Sequence, residues 1–156
     1  MFKKFGELTL EELNQTAAGF KDEGDIQSLK ALAKEWNLDS YDVEDYINGD
    51  IDTLATNITA AMGKIEAEYK ELESKNKGYK LMPYTVIKDM IISDIAKIAD
   101  NIMIKNRRME DIYKAMEKEM AQSNGCACGT DAQLKKIIEE YYSKGKVNIK
   151  KILGVS

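Results

Sequence analysis

Residue types that carry catalytic or metal chemistry are scarce in this chain of 156 residues. It has no histidine, so it lacks the commonest general base and the commonest zinc ligand. Cys126 and Cys128 supply two thiolates, whereas a closed tetrahedral zinc site needs four ligands. Their closeness favours reduced thiols, because a bridge between such near neighbours would close a strained loop. We expect no catalytic residue, no metal and no cofactor, with a metal shared across a dimer and a redox role left open for the pair.

Other candidate motifs also lack the required pattern. The segment Gly63-Lys64-Ile65 has neither the preceding glycine nor the following Ser or Thr of a phosphate-binding loop, and it falls within a predicted helix. Asp89, Asp94 and Asp100 do not recur at the spacing that aligns side chains on one helix face. These observations argue against an enzyme and favour a protein that acts by binding.

Charge is distributed unevenly along the chain. The net charge of −4 combines −8 over residues 1–78, with 9 basic and 17 acidic side chains, and +4 over residues 79–156, with 14 basic and 10 acidic. Such polarity creates opposite fields that favour partners of opposite charge. The candidate partner-binding residues are Asp39, Asp42, Glu44, Asp45, Asp50 and Asp52. The candidate phosphate-binding residues are Lys105, Arg107, Arg108, Lys144, Lys146, Lys150 and Lys151.

The acidic candidates lie in a segment that has the cadence of a helix-turn-helix, residues 29–48. In a DNA-binding version, the second helix approaches phosphates and base edges. Here that helix carries Asp42, Glu44 and Asp45, which would repel phosphates. Two interpretations stay open: an ordinary helical hairpin with a solvated acidic face, or a rigid acidic face that imitates nucleic acid and occupies a basic groove.

Apolar spacing and helix-end signals predict an all-α fold, a compact bundle of about six helices. Its acidic half, 1–78, and basic half, 79–156, form either two lobes or one domain 1–156. The predicted helices begin at the Thr9–Glu12 capping box, at Asp25, at Ser40, after an Asp52 cap (residues 53–75), at Tyr84 (to 104), at Met109 (to 122) and at Thr130 or Asp131 (to 142). Between them we expect a linker at 74–82, a basic turn at 105–108, a loop at 123–129 and a short amphipathic turn at 147–153.

The cellular location follows from signals that the sequence lacks. No apolar stretch of signal-peptide type follows Met1–Glu7, and no run of apolar residues is long enough to span a membrane. Reduced cysteines agree with a reducing compartment. We therefore expect a cytoplasmic protein that does not bind membranes.

The C-terminal half resembles the PcfK-like proteins of conjugative plasmids, integrative elements and phages over about residues 107–142. The similar features are a helix from Met109, a Ser123-Asn124-Gly125-Cys126 turn, a helix start at Thr130-Asp131 and a Tyr141-Tyr142 end. The resemblance implies an accessory protein of a mobile element in a bacterial host. Some relatives of this kind act as anti-CRISPR proteins against type II effector nucleases.

Three functional hypotheses result from the charge pattern and this resemblance. The leading one is an anti-CRISPR inhibitor whose acidic residues mimic nucleic acid and bind the nucleic-acid surface of an effector nuclease or its guide complex. The alternative is a conjugation or phage accessory protein that binds DNA, or a DNA-processing partner, through its basic half. The third is a homo-oligomeric scaffold in which the acidic end of one copy meets the basic end of another.

Overall fold

The computed structural model describes residues 2–122 and 129–154, and in these ranges it contains nine α-helices and no β-strand. The helices are α1 Leu10–Asp22, α2 Ile26–Glu35, α3 Ser40–Ile47, α4 Asn57–Lys75, α5 Met82–Ser93, α6 Ile95–Ile102, α7 Met109–Gln122, α8 Asp131–Lys144 and α9 Ile149–Leu153. A 3₁₀ turn, Gly78–Lys80, lies between α4 and α5. The all-α prediction is confirmed, with nine helices in the described ranges instead of about six.

Capping side chains begin several helices where the sequence predicts them. The Thr9 hydroxyl accepts from the Glu12 amide at 3.2 Å, and the Glu12 carboxylate accepts from the Thr9 amide at 2.9 Å. Asp25 caps α2 by accepting from the Ser28 amide at 3.1 Å, and Thr130 caps α8. These side chains pair amides that have no partner inside the helix, so local sequence is sufficient to predict the starts of these three helices.

The predicted start of α4 is wrong. The helix begins at Asn57 under a Thr56 cap rather than directly after Asp52. Asn14 of α1 explains the difference, because its side-chain amide donates to the Ala55 carbonyl at 2.9 Å and accepts from the Ala55 amide at 3.0 Å. A contact with a distant helix therefore holds both backbone groups of Ala55 outside the helical pattern.

The single helix predicted over residues 84–104 is also wrong. Two helices, α5 and α6, occupy this region and are separated at Asp94, whose amide bonds to the Ile91 carbonyl at 3.1 Å. The Asp94 carboxylate forms an ion pair with Lys135 of α8 at 3.0 Å. The break lets the two helices bury their apolar sides separately, with Ile91 at 0% and Ile98 at 4% exposure.

One hydrophobic cluster contains buried residues from both halves of the chain, and α4 contacts α5, α6 and α7. Trp36 is fully buried and stacks on Phe2 with ring centroids 4.4 Å apart. Gly63 of α4 lies so close to Trp36 that a Cβ added to Gly63 would be 1.8 Å from the carbonyl oxygen of Trp36. None of the described helices is long and apolar enough to cross a membrane.

Candidate protein-binding face and buried ion cluster

The six predicted partner-binding carboxylates lie at the N-cap of α3, on α3 and in the loop after it, and we call them the acidic face. Asp39 caps α3 by accepting from the Tyr41 amide at 2.8 Å. Five of the six side chains are exposed, and Asp42 is half-buried. The core side of α3 carries Val43 and Tyr46, and Ile47 is partly buried against the same core.

An exposed tyrosine lies within the acidic face. Tyr41 is 80% exposed and shares one side of α3 with Glu44 and Asp45, three and four residues further on. Glu44 forms an ion pair with Lys30 at 3.2 Å. Within the described residues, the other five carboxylates of the face form no ion pair. The face therefore combines a free aromatic ring with carboxylates available to a partner.

The predicted phosphate-binding residues divide into two groups. Lys105 pairs with Glu12 at 2.8 Å, Arg108 with Glu7 at 2.9 Å and Lys144 with Glu140 at 3.0 Å, while Arg107 donates to the Tyr142 carbonyl at 3.3 Å. These four contacts occupy the cations within the protein. The second group consists of the exposed Lys146, Lys150 and Lys151, which have neither an ion pair nor a side-chain hydrogen bond in the described part of the chain.

A buried ion cluster joins the N-terminal segment to the basic half. Lys64 of α4 is 0% exposed, and its ammonium donates to the Ile102 carbonyl at 2.6 Å and the Ile104 carbonyl at 3.1 Å. The same ammonium lies 3.1 Å from the Glu7 carboxylate. Both Glu7 oxygens accept from the Arg108 guanidinium at 2.9 Å. Glu7 thus bridges two cations that are far apart in sequence.

Glu68 of α4 completes the cluster and is 4% exposed. One of its oxygens accepts from the Met109 amide at the start of α7 at 3.0 Å, and the other has no hydrogen-bond partner among the described residues. Burial raises the pKa of Glu68 to about 7, although the charge of Lys64 opposes the shift. Burial also lowers the pKa of Lys64, while the nearby Glu68 charge opposes that change. Both pKa shifts therefore favour the neutral form of the side chain.

The pKa of Glu7 shifts in the opposite direction to that of Glu68, because the effect of its hydrogen bonds exceeds the effect of its burial. Burial alone would raise its pKa, but hydrogen bonds from Arg108 and Lys64 bring the pKa below its ordinary value. Beside it, the Tyr141 hydroxyl accepts from the Arg108 amide at 2.8 Å and donates to Asp111 at 2.9 Å. Burial raises the pKa of Tyr141 well above its ordinary value. These bonds connect the turn before α7 to α8.

Sequence analysis does not find this cluster, although one signal for it is present. Lys64 and Glu68 lie four residues apart and continue the apolar spacing of Ala61, Ile65 and Leu72. The spacing places both charges on the core side of α4. The contacts of the cluster join the N-terminal segment to α4 and to the turn before α7.

The structure offers no metal centre among the residues that it describes: no group of three or more His, Cys, Asp or Glu is arranged to hold an ion. Cys126 and Cys128 lie outside the described residues, as does the Ser-Asn-Gly-Cys turn of the PcfK-like resemblance. The chain matches no protein-family model, no curated protein and no solved structure. The function must therefore be argued from its own surfaces.

Proposed function

We propose that this protein is a binding inhibitor whose acidic face docks on the basic nucleic-acid-binding surface of a protein partner. The partner that we propose is a type II CRISPR effector nuclease or its guide complex, which makes the protein an anti-CRISPR protein of a phage or mobile element. The observation that carries the proposal is that Asp39, Asp45, Asp50 and Asp52 of the acidic face are exposed and without an ion pair in the described residues, together with the exposed ring of Tyr41.

The composition of the face supports binding to protein rather than simple solvation. Tyrosine is enriched among residues that dominate binding energy, and Tyr41 presents almost its whole ring to solvent. Carboxylates arranged around it would meet lysines and arginines that otherwise hold phosphates, and complementary fields accelerate such encounters. The rigid helix under the face is fixed by Val43 and Tyr46 in the core, so little ordering is needed on binding.

The alternative of DNA binding through the basic half receives less support. Three of its seven candidate cations form ion pairs with carboxylates of the same chain, and Arg107 is bonded to a backbone carbonyl. A phosphate would have to displace the Glu7 oxygens from Arg108, where both are held at 2.9 Å. Of the seven candidates, Lys146, Lys150 and Lys151 are those left without an ion pair or a side-chain hydrogen bond in the described residues.

A programmed DNA-cleavage assay with a panel of type II effector complexes tests the proposal. The protein is added either before or after guide loading, and cleaved DNA is measured at two ionic strengths. We expect inhibition that weakens as salt rises, because exposed charges are screened over about 8 Å near physiological ionic strength. The order of addition then shows whether guide loading or target binding is blocked. No inhibition by the protein across the panel would refute the proposed target.

Charge-reversal variants test the face itself. The variant Asp45→Lys/Asp50→Lys/Asp52→Lys alters three exposed carboxylates without ion pairs, and we expect inhibition to weaken by more than about tenfold because like charges would then oppose each other. The matched control reverses three exposed carboxylates elsewhere, Glu73→Lys/Asp89→Lys/Glu117→Lys, and changes net charge equally. Thermal unfolding checks that both variants fold. Equal loss of inhibition in both would show that net charge, not the acidic face, determines binding.

A further inference from the structure

A wide groove in the acidic half has lysine as the most frequent of its lining residues. It has a volume of about 710 Å³ and lies between α2, α4 and the N-terminal segment. Five lysines line it, with two carboxylates, Glu35 and Glu71, and we call it the lysine groove. Its lysines are Lys3, Lys4, Lys34, Lys70 and Lys75. The lining therefore carries a net charge of +3 inside a half whose net charge is −8.

Four of the five lysines have no ion pair among the described residues, and the ammonium of one of them, Lys4, lies 5.2 Å from the centroid of the Phe5 ring. In the described part of the chain, Lys3, Lys4 and Lys34 form no ion pair, and Lys70 donates to the neutral Asn37 amide oxygen at 2.6 Å. Lys75 is engaged with Glu71 at 3.0 Å. Glu35 accepts from the backbone amides of residues 4 and 5, which draws the N-terminal segment against α2. This contact brings the lysines of separate segments to one groove.

The other lining residues indicate which anion would fit. Ala31, Ala67 and Ser74 are small, so the lysine stems surround open space. None of the described lining residues is aromatic, which leaves no platform for stacking bases. None is an arginine, so the lining ammonium groups would bind an anion as point charges, which is how lysine binds phosphate. The chemistry thus favours a chain of phosphates over a nucleobase.

We propose that the lysine groove binds a chain of phosphates, supplied either by the backbone of a single-stranded nucleic acid or by free polyphosphate. This site is separate from the acidic face. It lies in residues 1–78, whose net charge of −8 would by itself predict binding to a basic partner. Lys3, Lys4, Lys34 and Lys70 contact the phosphates, and recognition is independent of base sequence because no base-reading group lines the groove.

Fluorescence anisotropy of the full chain with a labelled oligothymidylate of about 20 nucleotides tests this site. Four phosphate contacts predict that the logarithm of affinity falls with the logarithm of salt concentration with a slope of about −3. At about 50 mM salt, each contact contributes about eightfold through release of counterions, so Lys3→Gln/Lys34→Gln should weaken binding about sixtyfold and halve the slope. Both side chains are exposed, so folding should be preserved, which circular dichroism verifies.

The matched control is Lys118→Gln/Lys136→Gln, which removes two exposed lysines from α7 and α8, away from the groove and from the candidate phosphate-binding residues, and should leave affinity unchanged. Tripolyphosphate added as a competitor distinguishes the sources: displacement at equal phosphate concentration assigns polyphosphate, and displacement only by a second oligonucleotide assigns the nucleic-acid backbone. The proposal is overturned if neither probe binds at about 50 mM salt, or if the Lys118→Gln/Lys136→Gln variant weakens binding as much as the groove variant.

Discussion

Glu68→Gln should change how the stability of this protein depends on pH. In the folded protein the pKa of Glu68 is about 7, whereas its ordinary value is 4.5. The folded state therefore binds this proton more tightly than the unfolded state does. Between these two pH values the folded state holds the larger share of the proton, so stability falls as pH rises through this window and stays constant above it. Glutamine cannot lose the proton, so the variant should lack this fall.

The size of the effect follows from the pKa difference. A difference of about 2.5 pKa units corresponds to about 3 kcal/mol of unfolding free energy. The window is unusually clear of other titrations, because the chain has no histidine. Glu7 titrates on the other side of it, since its pKa lies below the ordinary value and its stabilisation is lost only as pH falls further. The amide oxygen of the glutamine can still accept from the Met109 amide, as Glu68 does at 3.0 Å.

Urea unfolding followed by tryptophan fluorescence measures this free energy. The single tryptophan, Trp36, is fully buried and reports loss of the core. We expect wild type and Glu68→Gln to be similarly stable near pH 5, where Glu68 is protonated, and the variant to be more stable by up to about 3 kcal/mol near pH 8. The control Glu73→Gln removes an exposed carboxyl from the same helix. A wild-type-to-Glu68→Gln difference that stays constant within about 1 kcal/mol from pH 5 to 8 would refute the reasoning.

Two further substitutions test the packing of α4. Gly63→Ala should destabilise the protein by about 1–3 kcal/mol in urea unfolding, because its Cβ would lie 1.8 Å from the Trp36 carbonyl oxygen. Gly19→Ala meets nothing within 4 Å in α1 and should stabilise by up to about 1 kcal/mol, so equal effects would contradict the close approach. Lys64→Met should cost about 3–5 kcal/mol near pH 7, since it leaves Glu7 and two backbone carbonyls without the buried ammonium. A cost below about 1 kcal/mol would show that the cluster is not needed for stability.

Helix starts are predictable from sequence where a single local bond decides them. Thr9 and Asp25 satisfy amides three residues ahead, and both predictions are confirmed. The start predicted at Asp52 is wrong because Asn14, a residue of another helix, pairs both backbone groups of Ala55. Local spacing contains no information about such a partner, so the predicted bounds are wrong where contacts between helices compete with capping.

The positions of the charges in the folded protein are also not predictable from local sequence, and these positions bear on function. Net charge by half of the chain assigns cation binding to the acidic half and anion binding to the basic half. However, Glu7 and Glu12 form ion pairs with Arg108 and Lys105 of the basic half. Part of the negative charge of the first half is therefore neutralised within the protein.

Several lysines of the first half, by contrast, are not neutralised by ion pairs in the described residues. Lys3 and Lys34, distant in sequence, meet in one groove because Glu35 holds the N-terminal segment against α2. The acidic face and the lysine groove then share a neighbour, since Lys34 also lines the smaller depression that reaches Ser40 and Glu44. A partner therefore meets adjoining surfaces of opposite sign on one half of the chain. Charge counts along the sequence cannot express this arrangement, because folding separates neutralised charges from those left available to solvent.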